Sequence, residues 1–263
     1  MEEEREGFVE NSKVAVRGVI NGIFGSFVYE LILSLFISVI VTTIVTNKNP
    51  GATEEGLNQL VNDAFEAFPF SILISCIGSL ITLGVFVYII KFIKFKEICK
   101  KAINSTTLKY GGIGVLCIIG FSIVYNSSII SIFNLGDSGN ANQEGVVELI
   151  KSNAFLGFLS VVILAPIVEE LTYRYCIFGA TCKKKKWIGY LISSIVFMAM
   201  HSLSSFLSYG FSKQLLTEML YLPPYLFSGL ALCYLYDKTD NLGSSFIAHL
   251  LNNLISFLAI VYA

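Results

Sequence analysis

Glu169, Glu170 and Arg174 lie within two turns of one another, inside an apolar run from about 154 to 180. Charged side chains at bilayer depth are costly, and they face one another or a polar cavity. Glu170 and Arg174 are spaced i, i+4, so on a helix they share a face and can pair. Glu169 is turned by roughly 100° from Glu170. It falls on the face of Tyr173 and has no basic partner there. Two later apolar runs each carry a histidine, in Phe197-x-x-x-His201 and His249-x-x-x-Asn253, and the chain has two histidines in all. Asn252 is adjacent to Asn253 but is expected to point elsewhere. A carboxylate, two imidazoles and a carboxamide meeting in a partly dry cavity make a hydrolytic set. The carboxylate takes a proton from water as the water attacks a carbonyl, and His or Asn donors hold the oxyanion that forms. Neither Gly-x-Ser-x-Gly nor His-Glu-x-x-His occurs in the chain.

Helices must carry these residues, and the composition says in what medium. Of 263 residues 54% are hydrophobic and only 14% charged, where soluble domains carry about a quarter. This is the composition of an all-α, polytopic transmembrane bundle. Apolar runs are expected to span at about 18–45, 70–90, 112–135, 153–180, 187–209, 219–236 and 243–263, about seven in all. The first is too long for a signal-peptide core and is expected to be retained. With a net charge of −1 there is no field to draw nucleic acid.

The charge distribution sets a topology. Arg5, Lys13, Arg17, the lysines at 91, 94, 96, 100, 101 and 109, Lys183 to Lys186 and Lys238 fall in alternate connections. The remaining connections hold Lys48, Lys151 and Lys213. That asymmetry places the N-terminus in the cytoplasm and the C-terminus outside. Measured from the lysine-rich ends at 1.5 Å per residue, Glu169 lies at roughly 18 Å, His201 at roughly 21 Å, His249 at roughly 10 Å and Asn253 at roughly 16 Å. All four can meet in one cavity. The lysines of 91–101 alternate with Phe92, Ile93, Phe95 and Ile98, as an amphipathic helix on an anionic leaflet or a basic loop would. Six cysteines without Cys-x-x-Cys spacing read as reduced packing residues.

Other features have both a packing and a functional reading. Gly18 and Gly22 form a Gly-x-x-x-Gly pair suited to helix packing. Pro166 is expected to kink the helix beside the acidic pair. Pro223-Pro224 is expected to break the sixth span. Glu30 is expected to face the cavity, pair with Arg174, or serve packing alone.

Glu-Glu-x-x-x-Arg at 169–174, Phe-x-x-x-His at 197–201 and His-x-x-x-Asn at 249–253, in this order on separate membrane helices, resemble the CPBP family. These are the intramembrane glutamic endopeptidases of CAAX and bacteriocin processing, also called Abi proteins. Each motif alone is short and common; the three in order are specific. The resemblance covers about 153–263, which it implies is a catalytic core of four spans, behind an N-terminal region of three spans over 1–152. It implies that Glu169 activates water with His201 holding it, that His249 and Asn253 form the oxyanion site, and that Glu170 and Arg174 support them. Better-studied members have eight spans. The implied partners are the bilayer and a peptide or membrane-protein substrate: a prenylated CAAX-type peptide in a eukaryote, a pheromone or bacteriocin precursor or a membrane protein in a bacterium. No cofactor or metal is implied. Two other readings stand beside this one. In the first, Glu169, His201 and His249 bind zinc as a peptidase centre. In the second, the polar set only binds a peptide or packs helices, as in a bacteriocin self-immunity or scaffold protein. A transporter is disfavoured because no internal repeat is visible.

Overall fold

In hydrocarbon every backbone N–H and C=O must be paired internally, and runs as apolar as these satisfy that by forming helix. The computed structural model describes residues 13–133, 141–183, 185–210 and 212–262, and among them there is helix and no strand. The charged residues of 1–12, with Asp137 and Lys184, lie outside the described residues.

In chain order the helices are α1 (Lys13–Lys48), α2 (Glu54–Glu66), α3 (Phe70–Ile90), α4 (Phe92–Ala102), α5 (Ser105–Phe133) and α6 (Ala141–Ser152). There follow α7 (Ala154–Thr181), α8 (Lys186–His201), α9 (Leu203–Tyr209), α10 (Lys213–Met219), α11 (Leu222–Thr239) and α12 (Leu242–Tyr262). Side-chain caps start several of them. Thr53 accepts from the Gly56 amide at 3.2 Å and Asn153 from the Leu156 amide at 3.0 Å, each satisfying an orphaned first-turn donor.

Among the described residues six stretches are long and apolar enough to cross a membrane: α1, α3, α5, α7, Gln214–Thr239 (α10, a turn and α11) and α12. This is a multi-pass membrane protein. The expected span at 187–209 is shorter in the structure. Helix α8 has 16 residues, about 24 Å of rise against a core of roughly 30 Å. It ends because side chains and a tight turn take the carbonyls that the next turn would use. Ser202 Oγ donates to Ala199 O at 2.8 Å, and the Ser202 amide is shared between Met198 O and Ala199 O at 3.2 Å each. The sixth span is interrupted at 220–221, just ahead of the proline pair. Pro223 and Pro224 occupy the first turn of α11, where a missing N–H costs nothing.

The lysine-rich ends gather on one side. Asn241 Nδ2 donates to Lys101 O at 2.7 Å, and Lys186 Nζ meets Asp237 Oδ1 at 2.8 Å. Segment 91–101 is helical rather than a loop, with Phe95 and Ile98 of α4 packed on the core. On the opposite side, Glu218 Oε2 accepts from the Ala141 amide at 3.0 Å and from Ser205 Oγ at 2.8 Å.

Helix α7 lies between its neighbours because small residues let them approach. A side chain at Gly18 would overlap Cys176, and one at Gly22 would overlap Thr172, so α1 rests directly on the back of α7. The far face of α1 exposes Phe24, Leu31, Leu35 and Phe36 to lipid. Gly111 and Gly114 bring α5 against Ile247 and Leu235 in the same way. Helix α5 therefore packs with α11 and α12, across position 152.

Candidate active site

The motif helix is irregular where it matters. Within α7, Phe158–Leu164 and Glu170–Phe178 are π turns, with α turns over Ala165–Glu169 between them. Such wide turns concentrate at functional sites. Here Pro166 follows the first one. In that register the Ala165 amide bonds Ser160 O, five residues back. The same step from residue 166 would reach Val161 O, but proline has no N–H. Asn253 Nδ2, on α12, donates to Val161 O instead, at 2.9 Å. Pro166 and Asn253 are thus two halves of one backbone solution.

The acidic pair sits at the second junction. Glu170 and Arg174 are fully buried, and Glu170 Oε1 meets Arg174 Nη1 at 3.0 Å. The same Oε1 takes His249 Nδ1 at 2.9 Å. Two donor groups thus meet one oxygen of this buried carboxylate, while its other oxygen, Oε2, is buried without a hydrogen bond. His249 Nε2, the other ring nitrogen, faces Glu169 Oε2 at 3.7 Å, beyond hydrogen-bond range. Glu169 is a quarter exposed, yet its Oε2 atom is buried and has no hydrogen-bond partner. The two glutamates therefore flank one imidazole, although a regular helix would turn them apart.

Phe197 is the hub of the aromatic packing. Arg174 Cζ lies 4.6 Å above its ring and 5.8 Å from the ring of Tyr173. Its centroid is 5.2 Å from Tyr173, 4.4 Å from His201 and 6.0 Å from His249. Helix α8 reaches this position because Ser193 Oγ donates to Tyr173 O at 2.8 Å and because Gly229 leaves room for Ser194. His201 Nδ1 lies 2.8 Å from Phe197 O, which orients its ring; Tyr225 stacks on it at 4.6 Å.

His201, His249 and Asn253 line one cavity of about 620 Å³, with walls from α5, α8, α11 and α12. Glu169 is not among its lining residues; its Oε2 lies 3.7 Å from Nε2 of His249, which is. Asn252 does not point elsewhere. It lines the same cavity and donates to Asn253 Oδ1 at 3.3 Å. Glu30 neither lines the cavity nor meets Arg174. It packs on Gly78 of α3 and bonds Ser75, whose hydroxyl lies 3.4 Å from that of Ser160. Among the described residues no three His, Cys, Asp or Glu side chains form a group able to hold a metal. Tyr225 and the α5 wall carry no motif that spacing reveals, and only the folded bundle brings them to the histidines.

Residues 151–255 match the family model described as type II CAAX prenyl endopeptidase Rce1-like. The UPF0177 protein YxdF of Lactococcus lactis subsp. lactis (strain IL1403) is 32% identical over 127 residues, 48% of this chain and 59% of that protein. The UPF0177 protein YvdC of the same strain is 32% identical over 110 residues, 39% of this chain and 42% of that protein. The chain thus spans about half the length of the curated relatives it matches. No solved structure matches it.

Proposed function

We propose, from the match of residues 151–255 to the Rce1-like CAAX protease family model, that the chain is an intramembrane endopeptidase in which Glu169 activates water. The observation that carries this reading is the orphaned Glu169 Oε2, buried, unbonded and 3.7 Å from His249 Nε2. A buried acceptor without a partner is rare, and it is expensive unless something else binds there. A water held between Oε2 and Nε2 meets that need and lies at the edge of the cavity that admits substrate.

The steps follow from the groups present. Glu169 takes a proton from the water as its oxygen bonds the scissile carbonyl carbon. The resulting oxyanion accepts from the second N–H of Asn253 Nδ2, beside the His249 ring that Glu170 holds through Nδ1. The first N–H of Asn253 Nδ2 is spent on Val161 O. His201, fixed by Phe197 O and stacked on Tyr225, lines the approach of water and substrate. The proton on Glu169 then passes to the leaving nitrogen, the C–N bond breaks, and a carboxylic acid and an amine leave. Glu170 and Arg174 touch no reacting atom; they position His249.

The reading assigns no step to a metal. The substrate is a peptide or membrane protein, lipid-modified or not, and the lysine-rich side faces the cytoplasm. The test is cleavage in proteoliposomes by wild type and Glu169→Gln, with and without chelator, on lipidated and leader-type peptides. Glu169→Gln keeps the shape and removes the base, so it should lose at least about a thousandfold. Loss on chelation alone would install the zinc reading. If wild type cuts nothing while Glu169→Gln keeps the cellular phenotype, the chain is a binding or immunity protein.

A further inference from the structure

The cavity extends well beyond the histidines. Along α5 it is lined by Ile118, Ser122, Asn126 and Ile130, spaced four apart and so on one face. Ile118 packs with Ala248, the neighbour of His249, so this row begins at the level of the site. Asn126 is eight residues further, about 12 Å along the helix and away from the lysine-rich ends. Among the described residues no Asp, Glu, Lys or Arg lines the cavity; its polar groups are hydroxyls, carboxamides and the two imidazoles.

Asn126 is an unpartnered group in the wall of this cavity. Its Oδ1 is buried and has no hydrogen bond, on a residue that lines the cavity. Membrane helices do not strand a carboxamide oxygen without reason, because an unpaired polar atom costs most where water is scarce. A peptide backbone supplies the missing donor. An extended chain advances about 3.3 Å per residue, so 12 Å is about four residues. We propose that Asn126 is a substrate-positioning residue, whose Oδ1 accepts a backbone N–H about four residues from the scissile bond and whose cavity admits only uncharged substrate residues over that stretch. This rests on the endopeptidase reading and gives it a substrate class: peptides whose segment on the outer side of the cut is extended, apolar and neutral. The isoleucines of α5 take its side chains, while a charged residue there would lose hydration and find no counter-charge.

The probe is a set of fluorogenic neutral peptides, trimmed one residue at a time on each side of the bond that the purified enzyme cuts. A second set carries one lysine moved stepwise through the sequence. Wild type should reject lysine within about four residues on one side of the bond and accept it beyond. Asn126→Leu should raise KM about three- to tenfold for peptides that reach position 126 and leave shorter ones unchanged, with kcat retained. Asn126→Asp should admit lysine at the position wild type rejects. Equal effects of Asn126→Leu on long and short peptides would make Asn126 a packing residue and overturn the proposal, as would a wild type that tolerates lysine throughout. If wild type cuts none of these peptides, the endopeptidase reading falls, and this inference with it.

Discussion

Removing one partner of the Glu170–Arg174 pair should cost more than removing both. Each is fully buried, so Arg174→Met leaves the Glu170 carboxylate with His249 alone, and Glu170→Leu leaves a bare guanidinium over Phe197. Breaking such a pair costs about 3–5 kcal/mol, while replacing both members with apolar side chains of similar volume is near neutral. Thermal unfolding in detergent should therefore show two destabilised single variants and a double variant close to wild type. Activity should not recover in the double variant, because His249 has then lost the acceptor on Nδ1. Recovery of both would reduce the pair to a packing device. Glu170 and Arg174 were legible as a pair from their spacing alone. The shared imidazole was not, since a regular helix turns Glu169 and Glu170 well apart, and only the junction of α and π turns brings both to His249.

The same π geometry makes a prediction for α7 as an element. If Asn253 Nδ2 stands in for the N–H that Pro166 lacks, the two positions must be coupled. Asn253→Leu strands Val161 O and should cost about 1–3 kcal/mol of stability. Pro166→Ala returns a donor to the ladder, and in that background Asn253→Leu should cost much less. A double-mutant cycle read by thermal unfolding measures the difference, and additive costs would show that the side chain and the proline act independently. Sequence reading found both residues, as an expected kink and an expected oxyanion donor. It could not connect them, because the hydrogen bond runs between helices 92 residues apart. The end of α8 at His201 was hidden for a related reason. Hydropathy continues to Tyr209, and the stop is made by Ser202 hydrogen-bonding its own helix.

At the scale of the whole molecule, the lysines and the cavity together assign the two faces of the bundle. Helix starts and ends that hold Lys94, Lys96, Lys101, Lys183, Lys185 and Lys238 meet on one side, tied through Asn241 and Asp237, while α2, α6, α9 and α10 cap the other. The alternation of apolar runs and basic connections made this much of the fold readable, since medium and charge act on every residue of a span. Of the cavity only one mark was readable, the polar interruption Asn126-Ser127-Ser128 that suggests a protein-facing side of that span; the rest of its α5 wall comes from outside the motif-bearing region and carries only Ile and Ser. With the lysine-rich side in the cytoplasm, the cavity runs from the two imidazoles toward the outer leaflet. Topology labelling decides this. In a chain cleared of its exposed cysteines, Cys99 and Cys117, a membrane-impermeant maleimide applied to whole cells should modify Lys48→Cys and spare Lys94→Cys. Permeabilised cells should label both. The reverse pattern would turn the molecule over and make the neutral cavity a cytoplasmic vestibule. The segment read by Asn126 would then be the part of the substrate still on the side of synthesis, not the part already carried across.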